Sequence, residues 1–499
     1  MRVTLASALV IFLATSAYYF QQISNFASFA TEQIIPTDDY ADSKFIEDLA
    51  KSCRTIITIG DQTSTFEARQ NNRVVVKVTD DPTQFEPWGT DQIKVNSVLN
   101  HVVLDLPKRH PNKAYNRIKQ LENVEWVDSY CVSLDRASDS AAGEAKKCKF
   151  GPSTPGEMLV QPARKNTSTR LPECDCKEKS SCSCTVRDVI GLNYISQPSI
   201  VNKPPLVAVL DEGVNLENTC IKQALGNVKI NDNIVNSWNY CTQSSQVTDW
   251  GHGTAMAKII AGESSNLSDC GLPGVSQGAR FFSAQVYESE EIFVDFLVIA
   301  DAISDAVAFG AKVINASFMF CKRSSNGDEN PECEENKTGL LAIEDALNQA
   351  SDKAVFVTGV QGADVSTDNP VYPAAFDLPN VLAVQAASWN PQKKIMTTEV
   401  GGWPLRVDIG VPETINGATP GVSNAIAIMS GSVALLLSHE QCAELKPAQI
   451  IEIFRRESAN EKWVDRIRRY TNRSTGYLDL RFLQDRDYIN ALCWLAANS

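Results

Sequence analysis

Histidine is scarce in this chain of 499 residues. Only His101, His110, His252 and His439 occur, and none of them stands near a Cys-x-x-Cys pair of the kind that binds zinc. The small number of histidines and their distance from such cysteine pairs argue against a zinc protein. We therefore predict no metal site from the sequence.

Positive charge is also in deficit. The chain has 46 lysines and arginines against 60 aspartates and glutamates, which gives a net charge of −14 and an isoelectric point near 4.9. Nucleic acids and anionic membranes attract basic surfaces, so an acidic protein is poorly suited to either. We expect neither a nucleic-acid partner nor a membrane partner.

The apolar run near the start of the chain, from Val3 to Ala14, is too short for a comfortable membrane span. It follows Met1-Arg2 and precedes the small residues Thr15 to Ala17, an arrangement typical of a signal-peptidase site. We predict that residues 1–17 are a cleaved signal peptide and that the protein is secreted. The alternative is a signal anchor, which the short apolar core disfavours.

The chain contains 14 cysteines, and an exported chain meets an oxidising environment that favours disulfide bonds over metal ligands. The tightest group is Cys174, Cys176, Cys182 and Cys184, for which a thiolate metal site is the alternative. Its intervening spacings of one, five and one residue differ from the usual zinc pairs. A disulfide-stapled linker is therefore favoured.

Sequences of the type Asn-x-Ser/Thr fit export and predict a glycoprotein. They begin at Asn166, Asn266, Asn315, Asn336 and Asn472. Asn315 lies in an apolar, strand-like run, so we expect it to be buried and unmodified.

The length and the composition, with 43% hydrophobic residues, predict a globular protein of two domains joined by a linker. Residues 134–185 are rich in Ala, Ser, Lys, Gly and Pro and show no periodicity, which marks the linker. Before it, 18–133 form the first region. After it, we predict one large domain over 186–499. The sequence shows no internal repeat.

The first region contains a small α+β module over residues 73–133. Strand patterns occur at Val74–Val78, Asn100–Asp105 and Val124–Asp128, and a helix pattern at Lys113–Glu122.

The second domain alternates continuous apolar strands with helical patterns, which predicts a doubly wound α/β fold with a parallel sheet buried on both faces. The predicted strands are Leu206–Leu210, Phe281–Val286, Lys312–Phe318, Ala354–Val357 and Val381–Ala386, and the predicted helices include Val298–Phe309 and Leu340–Ala350. A further helical pattern covers Leu478–Leu495, and a bond between Cys442 and Cys493 could pin it to the domain.

Three residues of this domain could carry chemistry. Asp211 directly follows a buried strand, at the edge where α/β sheets place their sites. His252 stands between two glycines at the start of a helical pattern, and Ser423 opens a nearly uncharged one. Taken singly, each has a common structural explanation, since such residues often cap helices. Their order along the chain, Asp then His then Ser, supports a shared catalytic role more strongly than any one of them does alone.

That order, each residue in its own frame of small residues, resembles the subtilisin-like serine proteases. The frames are Val207–Gly213, Gly251–Gly262 and Gly421–Ala425. The resemblance implies a subtilisin-like α/β domain that cleaves peptide bonds. The first region then resembles the propeptide of the family, whose sheet packs on the enzyme and whose tail occupies the cleft until it is cut. A generic α+β domain is the alternative for that region.

The resemblance also implies roles for the three residues. Ser423 would be the nucleophile, His252 the general base and then the general acid, and Asp211 the group that orients the imidazole and stabilises its charged form. The partners would be a polypeptide substrate and the protein's own propeptide, and we expect a monomer. No cofactor is required, although calcium is implied as an ion that stabilises many members.

Further matches and departures concern the substrate cleft. Lys312–Ser317 resembles the substrate-lining strand, which makes Asn315 and Ser317 candidates for substrate binding. Members of the family carry a Gly-Asn pair whose asparagine donates to the oxyanion, whereas the corresponding stretch here, Phe356–Gly362, contains no asparagine. Gln361 could supply an equivalent amide from one methylene further out. Val422 also replaces a threonine beside the nucleophile.

These features leave two functions open. One is a secreted serine endopeptidase made as a zymogen, which the complete Asp, His and Ser set supports. The other is a catalytically impaired pseudo-protease that acts as a binding or regulatory protein, which the altered frames support. Another acyl hydrolase is disfavoured, because Ala425 breaks the Gly-x-Ser-x-Gly sequence that esterases carry.

Overall fold

The computed structural model of the protein describes most of the N-terminal module and most of the large domain. The described residues are 45, 55–59, 62–66, 73–85, 87, 90–107, 111–130, 186–195, 204–230, 232–248, 251–263, 270, 273–288, 293–322, 339–360, 370–390, 395–397, 407–413, 421–457 and 476–498. The predictions for the signal peptide at 1–17, the linker at 134–185 with its four close cysteines, and the sequons other than Asn315 lie outside these residues.

The strands and helices are numbered in chain order. The strands are β1 Thr55–Ile59, β2 Gln62–Phe66, β3 Arg73–Val78, β4 Asp91–Asn96, β5 His101–Asp105, β6 Val124–Ser129, β7 Leu206–Asp211, β8 Val228–Ile230, β9 Asn233–Val235, β10 Ser237–Asn239, β11 Arg280–Gln285, β12 Tyr287–Glu288, β13 Phe293–Val294, β14 Val313–Ala316, β15 Phe318–Lys322, β16 Val355–Val360, β17 Val371–Tyr372, β18 Val381–Asn390, β19 Ile395–Thr397, β20 Ile409–Pro412 and β21 Gly476–Tyr477. The helices are α1 Pro111–Ile118, α2 Val186–Val189, α3 His252–Ala261, α4 Phe296–Ala308, α5 Leu341–Gln349, α6 Val422–Leu437, α7 Pro447–Glu457 and α8 Arg486–Ala497.

A parallel sheet forms the centre of the large domain. Its strand order is β10-β11-β7-β14-β16-β18-β20-β21, with every neighbouring pair parallel, and β19 adds to β18 in the antiparallel direction. The predicted doubly wound α/β fold is therefore confirmed. Strand β14 ends at Ala316, two residues before the predicted end of that strand.

Both faces of the sheet are buried because the strands are apolar on both sides. In β7, Val207 and Val209 face the core on the side of α3, α6 and α7. Ala208 and Leu210 alternate with them and face the core on the side of α4 and α5. This two-residue alternation between two apolar cores is what a strand between two helical layers requires.

The N-terminal module is a sheet of order β4-β5-β3-β6 with antiparallel neighbours, backed by α1. The three predicted strands and the helix are present, and β4 was not predicted. Val74 and Val76 face a small core of the module itself, whereas Val75 and Val103 face the core shared with α4 and α5. The module therefore packs its second sheet face on the large domain.

Polar contacts surround this apolar interface. The ammonium group of Lys77 donates to Asp345 on α5 at 2.9 Å, and Nε2 of His101 lies 2.9 Å from the same carboxylate. Asp128 accepts from the N–H groups of Gly339 and Leu341 at 2.7 and 3.3 Å. A carboxylate at that position favourably meets the positive end of the α5 dipole.

A hairpin from the first region joins the large domain separately from the module. Strand β1 pairs antiparallel with β2 on one side and with β15 on the other, and β17 completes the sheet. Thr58 stands opposite Met319 in this register. The sequence patterns predicted no strand here, and β1 pairs with β15, a partner more than 250 residues away, which no local pattern indicates.

The C-terminal end is held as expected by a disulfide between Cys442 and Cys493. A second disulfide joins Cys220 and Cys270. The helix predicted from Leu478 begins only at Arg486, because the carboxylate of Asp485 accepts from two N–H groups of its first turn and so caps it there. Among the residues described above, no helix is both long and apolar enough to cross a membrane.

Candidate active site

Asp211 is the last residue of β7 and stands at the carboxyl end of the parallel sheet. Strand β7 has β11 on one side and β14 on the other, so Asp211 lies in the interior of that edge. Its side chain is 0% exposed. A carboxylate buried this deeply requires hydrogen-bond donors, since an unpaired buried charge costs several kcal/mol.

His252 begins α3 directly opposite this edge. The next residue, Gly253, packs so closely on the turn after β7 that a Cβ there would lie 2.1 Å from the carbonyl oxygen of Gly213. Gly213 itself has φ of +107°, a conformation that glycine adopts without strain. These two glycines let the start of α3 approach Asp211.

The imidazole of His252 bonds to the carboxylate of Asp211. Nδ1 lies 2.9 Å from Oδ1 and 3.1 Å from Oδ2. Because the carboxylate accepts from Nδ1, the nitrogen that could take a proton from another group is Nε2. The structure thus brings together two of the three residues singled out in the sequence, 41 positions apart.

Two neighbours of this pair were missed by the sequence analysis. The hydroxyl of Tyr287 donates to Oδ1 of Asp211 at 2.8 Å, and Oε1 of Glu212 accepts from the backbone N–H of His252 at 2.7 Å. Glu212 could have been noticed, since it follows Asp211 directly. Tyr287 gave no local signal, because it reaches Asp211 only through the pairing of two strands.

Ser423 is the second residue of α6, which packs against α3. Its side chain is buried, and its Oγ makes no hydrogen bond to any residue the structure describes. The N–H of Ser423 belongs to the first turn of α6, where N–H groups have no acceptor within the helix. The helix has no charged residue, and every one of its side chains is buried.

The start of α6 lies against the end of β16. A Cβ added at Gly359 would come within 2.7 Å of both Cγ2 of Val422 and Cδ1 of Ile426, so any larger residue would force these side chains to move. The next residue, Val360, is an apolar side chain buried in the same core. Gln361, the predicted oxyanion donor, lies outside the described residues.

Asn315 and Ser317, the predicted substrate-binding residues, are both buried. Asn315 donates to Oγ of Ser317 at 3.1 Å and accepts from Oγ of Ser430, on α6, at 2.9 Å. As expected, Asn315 is buried. The side chain of Asn315 is therefore engaged with α6, and the assignment of both residues to substrate binding stays a prediction.

Among the described residues, no group of three or more His, Cys, Asp or Glu side chains is placed to hold a metal ion. The implied calcium ion stays an expectation.

A parallel sheet with helices on both faces is the architecture of many α/β enzymes. The sequence profile of the subtilase family, peptidase family S8, matches residues 202–477, which is more than half of the chain. The chain belongs to the subtilase family of serine peptidases. No curated protein sequence matches it.

Solved structures share the fold. Fervidolysin from Fervidobacterium pennivorans, a keratinolytic enzyme related to subtilisin, superimposes with a TM-score of 0.54 at 17% identity, covering 87% of this chain and 61% of fervidolysin. The epidermin leader peptide processing serine protease of Staphylococcus aureus gives 0.55 at 16% identity, covering 83% of this chain and 97% of that protein. At these identities the similarity establishes the fold. The chain thus spans about three fifths of the length of fervidolysin.

Proposed function

We propose that the protein is a secreted serine endopeptidase, made as a zymogen, that cleaves peptide bonds through Asp211, His252 and Ser423. The observation that carries the proposal is the buried hydrogen bond between Nδ1 of His252 and the carboxylate of Asp211, in a chain of the subtilase family. Ser423 stands at the start of the helix that packs on the helix of His252.

The proposed reaction follows from this arrangement. Nε2 of His252 takes the proton of Ser423 as Oγ attacks the carbonyl carbon of the substrate, and Asp211 stabilises the imidazolium that forms. The tetrahedral intermediate then collapses, and His252 returns the proton to the leaving amine. Water repeats the sequence on the acyl-enzyme and releases the second product.

The oxyanion of the intermediate needs donors. The backbone N–H of Ser423 is one, since it lies in the first turn of α6. We assign the second to the side-chain amide of Gln361, because Val360, directly after Gly359, has none. Loss of one such donor typically lowers turnover by about 10²–10³-fold, so an imperfect amide here implies a slow enzyme.

The substrate is a polypeptide. We propose that its backbone pairs with main-chain groups near Ser317, since the side chain of Asn315 is engaged with Ser430. Calcium binding for stability, a monomeric state, N-linked glycans and secretion through residues 1–17 belong to the same proposal.

The N-terminal region is proposed to be the protein's own propeptide. Its module covers α4 and α5 through an apolar face and through the contacts of Lys77 and His101 with Asp345. Activation would then require a cut in the linker at 134–185, and the uncut chain would be the zymogen.

Self-processing tests this proposal. The full chain is secreted from expressing cells as wild type, as Ser423→Ala and as Ser432→Ala, and the N-termini are sequenced. Ser432 is the matched control, because its hydroxyl lies in the same helix and, among the described residues, bonds only to the carbonyl of Ile428. We expect the wild type and Ser432→Ala to lose their first 130 to 185 residues and Ser423→Ala to keep them. Full-length product from all three would favour the pseudo-protease instead.

A further inference from the structure

Tyr287 is held on the carboxylate of Asp211 by its backbone and by its ring. Strand β11 runs beside β7 with Gln285 opposite Asp211, and the N–H of Val286 donates to the carbonyl oxygen of Asp211 at 2.9 Å. Tyr287 follows immediately, and its ring packs edge-on against Phe318 with centroids 6.5 Å apart. The ring is 1% exposed, so the 2.8 Å bond to Oδ1 of Asp211 forms out of contact with water.

The charge of Asp211 needs this donor. Apart from His252, its carboxylate accepts from the backbone N–H of Glu212 at 2.9 Å and from the hydroxyl of Tyr287. Within the described part of the chain, no lysine or arginine pairs with it. Glu212 adds a second buried carboxylate beside His252. A buried anion without a cation is stabilised only by such hydrogen bonds.

The hydroxyl of Tyr287 remains a hydrogen-bond donor over the pH range in which His252 gains and loses its proton. Burial, and after it the charges of Asp211 and Glu212, raise the pKa of Tyr287 well above its ordinary value of 10. The phenol therefore keeps its proton whenever His252 gains or loses one. It does not compete with the imidazole for the proton of the reaction.

Resting on the proposed function, we propose that Tyr287 is a positioning residue of the Asp–His–Ser set. Its hydroxyl fixes the carboxylate of Asp211 toward Nδ1 of His252, and it withdraws part of the carboxylate's charge from the imidazolium. The first effect raises the rate, because a misdirected carboxylate no longer orients the base. The second lowers the pKa of His252, because less negative charge faces the protonated ring.

On the described elements that pack around His252, few other residues are titratable. Helix α6, which packs on α3, contains no titratable residue, and the arginine of β11, Arg280, is at the opposite end of its strand from Gln285. On α3 itself the next titratable residue is Lys258, nearly two turns away. Among the described residues, Asp211, Glu212 and Tyr287 therefore set the electrostatic environment of His252.

Titration of His252 by NMR tests the proposal without depending on activity. The full chain is labelled in its four histidines, and the resonance of His252 is assigned by its loss in His252→Gln. Wild type, Tyr287→Phe and Tyr477→Phe are compared. Tyr477 is the control, because it is a buried tyrosine whose ring lies on Gly410 in the two strands farthest along the sheet from Tyr287.

In Tyr287→Phe we expect the pKa of His252 to rise by about 0.5–1 unit. The rate at which a fluorophosphonate labels Ser423 should fall about tenfold, as loss of a hydrogen bond to a charged group predicts. Tyr477→Phe should match the wild type in both. An unchanged pKa of His252 in folded Tyr287→Phe would overturn the proposal, whatever the labelling rate.

A second substitution covers the case in which Tyr287→Phe does not fold. Replacing Tyr287 with 3-fluorotyrosine keeps the ring nearly isosteric and makes the phenol a stronger donor. The pKa of His252 should then fall, and an unchanged or raised value would contradict the proposal. If the wild type is not labelled on Ser423 at all, the proposed peptidase fails, while the titration still decides the role of Tyr287.

Discussion

Oγ of Ser430 donates to Oδ1 of Asn315 at 2.9 Å, and this bond ties the middle of α6 to strand β14. Both residues are fully buried. Ser423 lies two turns earlier on the same helix, so the bond fixes the depth at which α6 presents Ser423 to the sheet edge. Asn315 therefore supports the proposed nucleophile from inside the fold.

Ser430→Ala should weaken this support. It leaves the amide oxygen of Asn315 buried without its donor, and we expect the free energy of unfolding to fall by about 1–3 kcal/mol. Labelling of Ser423 should slow several-fold. Urea denaturation and labelling rates measure the two effects. Ser432→Ala, which removes a bond within the helix, should lower the free energy of unfolding by less. Equal losses in the two variants would show that the bond to Asn315 contributes no more than a bond within the helix.

Val360→Asn should speed the enzyme. The side chain of Val360 follows Gly359 where other subtilases carry an amide donor, and it is buried beside the start of α6. A correctly aimed amide there should raise turnover by about 10-fold or more, within the range that one oxyanion donor supplies. Hydrolysis of a peptide substrate measures the rate. Val360→Thr, which has no amide, should show no gain, and an equal gain in both variants would argue against an oxyanion effect.

Asp345 on α5 contacts the N-terminal module, and loss of its side chain should weaken the attachment of the module to the large domain. Asp345→Ala leaves the buried ammonium group of Lys77 with the carbonyl oxygen of Leu99 but without its carboxylate, so we expect a loss of about 2–3 kcal/mol in unfolding free energy. Limited proteolysis should then cut the module faster than in Asn348→Ala, an exposed change on the same helix. Replacing both partners, as Lys77→Met with Asp345→Leu, should cost less than the single change. A larger loss in the double variant would contradict the pairing.

The same contact should depend on pH. Burial alone would raise the pKa of Asp345, but hydrogen bonds from His101 and Lys77 and the charge of Lys77 outweigh it and hold the pKa below its ordinary 3.8. A lowered carboxylate pKa gives stabilisation that is present above the ordinary value and is lost as the pH falls through the lowered one. Proteolysis of the module by an acid-active protease should therefore accelerate below about pH 4 in the wild type and much less in Asp345→Asn.

Asp305, near the end of α4, should show the opposite dependence. Burial raises its pKa to about 6, and the negative charge of Asp301 adds to the shift. Its contribution to stability is full below the ordinary pKa of 3.8 and is lost as the pH rises through about 6. Asp305→Asn should therefore gain about 1–2 kcal/mol at pH 8 and little at pH 4. Thermal unfolding at both pH values measures this, and the exposed Asp352→Asn should change neither.

The sheet was predictable because its strands are continuous apolar runs. A run such as Val207-Ala-Val-Leu210 has a side chain for a core on each face, which local pattern alone reveals. Asp211 and His252 were singled out by their positions after a strand and before a helix. Their roles in catalysis remain predictions, although the two side chains are in contact.

The features that the sequence did not predict depend on contacts between residues far apart in the chain, which no local pattern indicates. Tyr287 meets Asp211 across two strands whose register is set by the whole sheet. Strand β1 was not predicted, since its partner β15 lies far along the chain, inside the large domain. Asn315 was assigned to substrate binding because its segment resembles a substrate-lining strand, and no local pattern indicates its hydrogen bond with Ser430 on α6.

Labelling with a fluorophosphonate tests the central claim most directly, since only an activated serine reacts with it. The secreted protein is treated as wild type, Ser423→Ala and Ser432→Ala, and the modified peptide is identified by mass. We predict label on Ser423 in the wild type and in Ser432→Ala, and none in Ser423→Ala. A folded wild type that stays unlabelled, or label that persists in Ser423→Ala, would contradict the proposed Asp211–His252–Ser423 enzyme.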